Sequence, residues 1–454
     1  MTEVSGRQLA QQVLDRVESD NAYANLALSE LLRQYPQIDQ RERAFCTELV
    51  YGVVRNLLKL DYILGRLLSR PLKSLKLPIK NILRIALYQL IYLPEIPERA
   101  VIHSAVEQVK KSKYTGLAGL VNGVLRNYLR NRGEIIFPDP RKDRLSYLSL
   151  EYSTPEWLIR RWVDQFGLDK AEQIVQAGNE RAPLTIRINR CRAEISRVCN
   201  GLIDLGFQVE SGVFLPEALV LKEAPLPIED TTLFKEGQLI IQDESSMLVA
   251  HLVDPKPGET IIDLCAAPGG KSTHLAELMN DHGRVFSNDD HPHKIELIRK
   301  NAERLQLRSI HPCLGDARDF QLPDGGWADR VLVDAPCSGT GVLRRRVDAK
   351  YRKKPENIRE LAVLQRQILE RAVQLVKPGG CLVYSTCALE WEEDEAQVEW
   401  LLHRYPEYQI EDYRQFLPER IQKFLDDPNQ PWVKVLPNSR GGDGFFMCRF
   451  KRSE

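Results

Sequence analysis

Ile-Ile-Asp-Leu-Cys-Ala-Ala-Pro-Gly-Gly-Lys, residues 261–271, is the stretch that decides the fold of this chain. An apolar pair leads to Asp263, small residues follow, and a helical pattern covers residues 272–279. This order predicts a strand, a tight turn and a helix, with backbone N–H groups that can approach a ligand closely. The spacing matches neither the dinucleotide fingerprint nor a P-loop, which disfavours NAD and ATP. A different nucleotide-like cofactor fits such a turn.

The same alternation continues on both sides of this stretch. Short apolar runs at residues 285–288, 331–333 and 381–384 suit parallel strands buried on both faces. Helical patterns cover residues 294–305, 358–376 and 393–405. From residue 237 onward, the pattern predicts a doubly wound α/β sheet.

The preceding sequence has a different organisation. Apolar residues recur every three or four positions over residues 5–132, which predicts an all-α domain with helix stops at Pro36, Pro71, Pro94 and Pro97. Helices at 155–177 and 195–205 and strands at 184–188 and 219–221 indicate a small α+β unit. We therefore predict three domains, at residues 1–140, 141–236 and 237–454.

Composition supports a multidomain globular protein with an uneven charge distribution. The chain has 454 residues, 43% of them hydrophobic and 28% charged, and its 63 Lys and Arg balance 63 Asp and Glu. Residues 1–140 hold 20 basic and 14 acidic side chains, so the remainder has a net negative charge. A basic module that binds nucleic acid would explain this division, but the charge count alone favours a chance surface imbalance.

The sequence contains no membrane or export signal. Its longest uncharged apolar run, residues 85–94, is about half of the ~20 residues that cross a bilayer, and the first residues lack a signal-peptide pattern. The nine cysteines have neither disulfide nor zinc spacing. We expect a cytoplasmic protein with reduced thiols, no metal and no membrane contact.

Four carboxylates follow predicted strands in order: Asp263, Asp289, Asp316 and Asp334. Asp289 is suited to the hydroxyls of a ribose, and Asp316 to an adenine amino group. Each acid alone is more often an ordinary loop residue. Four of them at strand ends beside a glycine turn favour a cofactor site.

Two cysteines are expected at the same sheet edge. Cys337 lies in Asp-Ala-Pro-Cys-Ser-Gly-Thr-Gly (334–341), and Cys387 ends Tyr-Ser-Thr-Cys (384–387). The basic run at residues 344–354 follows the first motif, which favours phosphate binding over a merely solvated surface.

These motifs, with Cys-Ala-Ala-Pro-Gly-Gly-Lys (265–271), resemble the RNA 5-methylcytosine methyltransferases that use S-adenosylmethionine. The whole chain resembles the ribosomal small-subunit RNA methyltransferase B family (RsmB, Sun or Fmu). Residues 43–55 and 121–126 match its NusB-like helical domain, and Gly-Asp-Gly-Phe-Phe (442–446) leads into its last, antiparallel strand. The resemblance implies a multidomain fold: an all-α NusB-like domain, a small α+β region and a Rossmann-like class I methyltransferase domain.

The resemblance also implies residue roles. Cys387 is the nucleophile, Cys337 the cysteine that assists release, and small-subunit (16S) ribosomal RNA the partner. Independently of the resemblance, we expect the chain to be a monomer. Asp290 adjoins Asp289 and is the alternative ribose ligand. The residues implied for S-adenosylmethionine are Cys265, Ala266, Ala267, Pro268, Gly269, Gly270, Lys271, Asp289, Asp316 and Asp334.

Cytosine chemistry is consistent with these roles. Carbon 5 accepts a methyl group only after the ring is activated, which a Cys387 thiolate does by adding to carbon 6 while a protonated Asp334 stabilises ring nitrogen 3. A DNA enzyme would instead attack with Cys337, and an adenine enzyme would carry a Pro-Pro-aromatic loop. Another RNA such as tRNA as substrate, or a non-catalytic assembly factor, stay open as alternatives.

Overall fold

The computed structural model describes residues 5–438 and 442–454. Residues 1–4, part of the segment inspected for a signal peptide, lie outside the described residues. The chain forms two compact units, one up to Glu180 with Leu343–Arg352, and one of Arg181–Val342 with Lys353–Glu454. No helix among the described residues is long and apolar enough to span a membrane.

The first unit is helical. Apolar side chains of α1 at three- and four-residue spacing, such as Leu9 and Val13, are fully buried in its core. Ser5 and Gln8 form a capping box that starts this helix. The helices up to Glu180 are α1 (Gly6–Ser19), α2 (Ala24–Gln34), α3 (Gln40–Arg55), α4 (Leu57–Leu67), α5 (Leu77–Tyr92), α6 (Glu98–Lys110), α7 (Ala118–Asn131), α8 (Arg144–Glu151), α9 (Glu156–Phe166) and α10 (Leu168–Asn179).

Helix boundaries lie next to prolines as the sequence predicts, but the prediction of one helix was wrong. Helix α2 ends two residues before Pro36, and α6 begins directly after Pro97. The single helix expected at residues 155–177 is two helices, α9 and α10. Gly167 separates them with a φ of +81°, a left-handed conformation that interrupts the helix.

The second unit begins with an antiparallel sheet in the order β2-β3-β1-β4. Ile186 of the central strand lies opposite Leu219 on one side and Ile241 on the other. The elements are β1 (Leu184–Ile188), α11 (Ile195–Asp204), β2 (Gln208–Ser211), β3 (Ala218–Glu223), α12 (Thr232–Lys235) and β4 (Leu239–Ile241). The small α+β region expected from the sequence is thus confirmed.

The larger sheet has the order β10-β12-β9-β8-β5-β6-β7, and β11 pairs with β12. Neighbours from β9 to β7 are parallel, whereas β12 runs antiparallel to β9. This confirms the doubly wound sheet with an antiparallel last strand. The elements are α13 (Glu244–Val253), β5 (Thr260–Asp263), α14 (Gly270–Leu278), β6 (Arg284–Asp289), α15 (Pro292–Leu305), β7 (Ile310–Leu314), β8 (Ala328–Asp334), α16 (Ala349–Arg352), α17 (Pro355–Leu375), β9 (Val376–Thr386), α18 (Glu395–Arg404), β10 (Tyr408–Glu411), β11 (Val433–Val435) and β12 (Phe445–Arg452).

The segment Leu343–Arg352 belongs to the helical unit, although it follows β8 in sequence. Lys350 is buried there and donates hydrogen bonds to the backbone oxygens of Arg55 and Tyr152 (both 3.1 Å) and to Asn179 Oδ1 (3.2 Å). The expectation that this lysine binds phosphate is therefore wrong, because three carbonyl oxygens already occupy its ammonium group. Arg346 and Lys354 of the same basic run are exposed.

Candidate active site

The turn at residues 264–269, called the cofactor turn after its predicted role, joins β5 to α14 at the centre of the larger sheet. Strand β5 pairs with β6 on one side and β8 on the other, so the chain changes direction across the sheet here. Crevices at the carboxyl ends of strands at such a switch point are the usual ligand sites of open α/β sheets. The sequence-predicted cofactor residues therefore lie at the position where this fold binds ligands.

Backbone geometry explains the small residues of the turn. Gly269 has a φ of +99°, and a Cβ on it would lie 3.3 Å from Ile298 Cα. The turn is tied to the next strand by Ala266 N, which donates to Asn288 O (2.8 Å). Pro268 follows a cis peptide bond. Burial and the neighbouring Asp charges raise the pKa of Cys265 well above the usual thiol range, which disfavours its thiolate form.

Of the two adjacent acids after β6, Asp289 faces the turn. Its Oδ2 accepts a hydrogen bond from Ala267 N (3.3 Å), and Lys294 Nζ lies 3.0 Å from its Oδ1. The Asp289 side chain is 7% exposed, whereas that of Asp290 is 56% exposed and paired with His291. Asp289 is therefore the one of the two acids that contacts the turn.

Asn288 is a positioning residue that the sequence analysis missed. Its Nδ2 donates to Leu264 O and to Gly315 O, both at 3.0 Å, and so links the cofactor turn to the loop that carries Asp316. Asp316 itself is paired with Arg318, whose side-chain and backbone hydrogen bonds lower its pKa. An asparagine beside two acids gave no signal of this bridging role.

An ion pair lies between the cofactor turn and the end of β8. Lys271 Nζ donates to Asp334 Oδ2 (2.7 Å), and Ser385 Oγ donates to Asp334 Oδ1 (2.9 Å). Burial alone would lower the pKa of Lys271. The charge of Asp334, the hydrogen bond to it and the charge of Cys387 outweigh that effect and raise the pKa above its usual value, so Lys271 is a cation here. Asp263 is fully buried, is bonded to Ser272 at the start of α14, and has a pKa raised by burial to about 7.

The structure brings the two predicted cysteines together. Cys337 Sγ and Cys387 Sγ lie 3.3 Å apart, and both residues are partly exposed. The Cys387 carbonyl accepts a hydrogen bond from Gly341 N (2.9 Å), which joins the two motifs. Hydrogen bonding to Cys387, together with burial, raises the pKa of Cys337 well above the usual thiol range.

The Gly-Asp-Gly-Phe segment before β12 closes over this loop. Gly444 N donates to Gly341 O (2.8 Å), and a Cβ on Gly341 would lie only 2.4 Å from Gly444 O. The Phe445 ring centroid is 5.1 Å from Lys271 Nζ, a cation–π arrangement. The close approach of two backbones explains both glycines.

The sequence analysis also missed the buried acids that follow Cys387. Glu390, Glu393 and Asp394 are each 0% exposed, and Asp394 accepts a hydrogen bond from Thr386 Oγ1 (2.6 Å). Five acidic residues between positions 390 and 395 were the available signal. Such a run is usually a solvated surface, and only tertiary contacts decide that it is buried.

The sequence of this chain is similar to those of known methyltransferases. A family model described as 16S rRNA methyltransferase RsmB/F matches residues 250–451. A relative from Bacillus subtilis (strain 168), named probable ribosomal RNA small subunit methyltransferase B, is 40% identical over 454 residues and covers 100% of both chains. The chain belongs to the RsmB/F family of ribosomal RNA small-subunit methyltransferases.

Other matches extend this RsmB/F assignment to the remaining regions. A NusB family model matches residues 5–130, and a ferredoxin-like domain model of the RsmF/B methyltransferases matches residues 154–229. A second relative of the same name, from Synechocystis sp. (strain ATCC 27184 / PCC 6803 / Kazusa), is 35% identical and covers 99% of this chain and 100% of its own. The family resemblance and fold class expected from the sequence are confirmed.

Two solved structures are similar to this chain over most or all of its length. The crystal structure of the protein PH0851 has a TM-score of 0.82 at 25% identity and covers 99% of each chain. A methyltransferase homolog from Pyrococcus horikoshii has a TM-score of 0.58 at 26% identity and covers 68% of this chain and 99% of its own.

Proposed function

We propose that this chain transfers a methyl group from S-adenosylmethionine to carbon 5 of a cytosine in small-subunit ribosomal RNA, through a transient bond between Cys387 and the base. One observation carries the proposal: two partly exposed thiols lie 3.3 Å apart beside the Lys271–Asp334 ion pair, at the carboxyl edge of the sheet. Reversible addition to a pyrimidine ring needs this combination of nucleophile and charge.

The residues around the turn fit S-adenosylmethionine. The Asp289 carboxylate suits the two ribose hydroxyls, and the first turn of α14 offers backbone N–H groups. Asp316 follows the neighbouring strand and suits the adenine amino group, provided that its pairing with Arg318 is exchanged. S-adenosylmethionine, when bound there, supplies an electrophilic methyl group.

Cys387 supplies the attacking thiolate. The attraction between its charge and Lys271 is mutual, so the ammonium group favours the thiolate form of this cysteine. Attack forms the sulfur–carbon 6 bond and moves the electron pair of the ring double bond towards carbon 5 and nitrogen 3. In this proposal the Lys271–Asp334 pair stabilises the charge that develops at nitrogen 3, with the proton on Lys271 in the role expected from the sequence for a protonated Asp334.

Release reverses the addition. Once carbon 5 carries the methyl group, a base removes its proton, the freed electron pair restores the ring double bond, and the sulfur of Cys387 leaves as a thiolate. Cys337, next to Cys387, assists this step. The target base is unstacked from its RNA helix to enter the site, as enzymes that modify bases require.

Regions outside the catalytic site supply RNA affinity in this proposal. Residues 1–140, which we assign as the RNA-binding domain, have six more basic than acidic side chains, and the NusB family model covers most of them. Residues 141–236 form the linker and the small α+β domain, and residues 237–454 form the catalytic domain. A ribosomal RNA substrate implies action in the cytoplasm, and we propose that the chain acts as a monomer.

The test is methyl transfer from labelled S-adenosylmethionine to 16S RNA, assembled small subunits, tRNA and DNA, followed by mapping of 5-methylcytosine. We expect label at one cytosine of the small-subunit RNA. Label in tRNA alone or in DNA alone would replace the substrate. Absence of transfer to all four, with intact S-adenosylmethionine binding, would support the non-catalytic assembly factor.

A further inference from the structure

The two site cysteines are chemically identical, so any difference in their roles arises from their surroundings. Lys271 places a positive charge near Cys387. The surroundings of Cys337 are different, because a buried carboxylate lies behind its loop. That carboxylate belongs to Glu393, which is 0% exposed and follows Cys387 by six residues.

Glu393 and its partner Gln365 contact the backbone on both sides of Cys337 in sequence. Its Oε1 accepts hydrogen bonds from Ser338 N (2.8 Å) and from Gln365 Nε2 (3.0 Å). Gln365 Nε2 also donates to Pro336 O (3.0 Å), so the residues before and after Cys337 are both held. Tyr384 Oη donates to the backbone oxygen of Glu393 (2.6 Å), which fixes that residue in turn.

The second oxygen of this carboxylate has no hydrogen-bond donor among the described residues. Glu393 Oε2 is buried and accepts no hydrogen bond from them, so donors neutralise only the Oε1 side of this carboxylate. An ion pair with Lys or Arg is not among its contacts in the described residues. A buried carboxylate with one oxygen that lacks a donor acts on its neighbours through a negative charge that is only partly screened.

We propose that Glu393 is the positioning residue that separates the roles of the two cysteines: it holds the Cys337 segment through Ser338 and keeps a negative charge beside the Cys337 thiol, so that the attacking thiolate resides on Cys387. The inference names a further residue of the site and rests on the proposed covalent reaction only for its meaning in catalysis. The charge asymmetry itself is a property of the folded chain.

The ionisation behaviour of the two groups agrees with this arrangement. The hydrogen bond to Cys387, burial, and the charges of Cys387 and Glu393 all raise the pKa of Cys337. Burial and the nearby Glu390 raise the pKa of Glu393 itself to about 7. The test is therefore run at about pH 8.5, where Glu393 carries its charge.

The experiment is alkylation of the reduced full-length protein with iodoacetamide, with the rate at each cysteine resolved by peptide mass spectrometry. We expect Cys387 to react faster than Cys337 in the unaltered chain. Glu393→Gln keeps an acceptor for Ser338 but removes the charge, and we expect it to lower the ratio of the Cys387 to the Cys337 rate by about three- to tenfold. An unchanged ratio overturns the proposal.

A matched variant separates charge from support. Gln365→Leu removes the amide that holds Pro336 but leaves the Glu393 charge, and its ratio is expected to stay within about twofold of the original. A ratio that falls equally in both variants would show that Glu393 acts only through support of the loop, which also overturns the proposal.

A third variant serves if Glu393→Gln does not unfold cooperatively. Glu393→Asp shortens the side chain and keeps the charge, so Cys387 should remain the faster thiol, and loss of that preference overturns the inference. Because alkylation needs neither RNA nor S-adenosylmethionine, failure of this inference is distinguishable from failure of the proposed methyl transfer.

Discussion

Cys387 and Cys337 are neighbours with the same functional group, and their proposed roles differ in order. Attack must precede release, so removing each thiol should stop the reaction at a different stage. The 3.3 Å separation of their sulfur atoms makes either thiol a geometric candidate for attack. Substitution is what separates them.

Cys387→Ala should leave no methylation above background while S-adenosylmethionine still binds, because the covalent step is lost. Cys337→Ala should still attack and methylate, then accumulate a protein–RNA adduct that survives denaturing gel electrophoresis. An adduct from the Cys387 variant alone would assign attack to Cys337. Activity retained in both variants, without adducts, would refute the covalent mechanism.

Asp289 is the second residue with a sharp expectation. Asp289→Ala removes the acceptor proposed for the ribose hydroxyls and should weaken S-adenosylmethionine binding by about 1.5 to 3 kcal/mol, which is about 10- to 150-fold in Kd. Calorimetric titration measures the change. Asp290→Ala is the control, because that side chain is 56% exposed and should affect affinity by less than about twofold. The reverse result would move the ribose contact to Asp290.

At the scale of elements, α14 is held at both ends by one side chain of the smaller sheet. Arg187 of β1 donates to Gly270 O (2.8 Å) at the start of the helix and to Glu277 Oε1 (2.8 Å) near its end. The arginine is fully buried. The cofactor turn thus depends on a contact from the ferredoxin-like region, for which the sequence analysis had assigned no chemistry.

Helix α14 also carries His274, which packs with His251 around Glu217. His274 Nε2 lies 3.4 Å from Glu217 Oε1, and His251 Nε2 lies 2.5 Å from the same oxygen. Burial, followed by the charge of Arg187, lowers the pKa of His274 to about 3. Between about pH 3 and pH 6.5, His274 is therefore neutral in the folded protein and protonated in the unfolded chain.

The sign of the pH dependence follows from that difference. Because the folded pKa is below the unfolded value of about 6.5, His274 contributes stability above pH 6.5 that is lost as the pH falls towards 3. His274→Gln keeps an N–H donor but does not titrate. Urea unfolding between pH 6 and 4 should show a slope shallower by up to about 1.4 kcal/mol per pH unit than in the unaltered chain. His282→Gln, at an exposed site, should leave the slope unchanged, and an unchanged slope in both variants would contradict the assignment.

At the scale of the whole molecule, the catalytic loop and the helical unit are continuous in sequence. The chain leaves β8, passes Cys337, and enters the helical unit at Leu343. Val347 is buried in the helical core, and Tyr351 Oη donates to Ser153 O (2.8 Å). Helices before Glu180 therefore provide the packing partners of a segment that lies after the catalytic loop in sequence.

Removal of residues 1–180 should expose that segment to protease. Trypsin should cut after Lys350 and Arg352 at least about tenfold faster in the truncated protein than in the full chain, because their carbonyl partners are gone. Peptide mapping over time measures this, and the rate at Lys300, which is 68% exposed, is the control. Equal rates at Lys350 in both proteins would show that the segment needs no helical partner.

The full-length and truncated proteins also test which region binds RNA. If the basic helical region neutralises phosphates, the truncated protein should need more RNA for methylation and its binding should depend less steeply on salt. Fluorescence anisotropy across a series of salt concentrations gives both slopes. Equal slopes would assign the grip to exposed cations of the retained chain, such as Lys354.

The sequence by itself determined the parts of this protein that depend on local pattern. Strand, turn and helix in residues 261–279 follow from apolar periodicity and glycine placement, and the acids and thiols at strand ends follow from sheet geometry. The helix at residues 155–177 was misjudged because apolar periodicity continues across Gly167, whose left-handed backbone cannot be read from a pattern.

Only the tertiary structure decided which charges are buried and what they contact. Lys350 is of a residue type that often binds phosphate, but it is buried among carbonyl oxygens. Glu393 is of a residue type that usually lies at the surface, but it is buried and supports the Cys337 loop. Arg187 reaches α14 across more than 80 residues of sequence. Burial and partner choice depend on residues far apart in the chain, so a local pattern of charge carries no information about them.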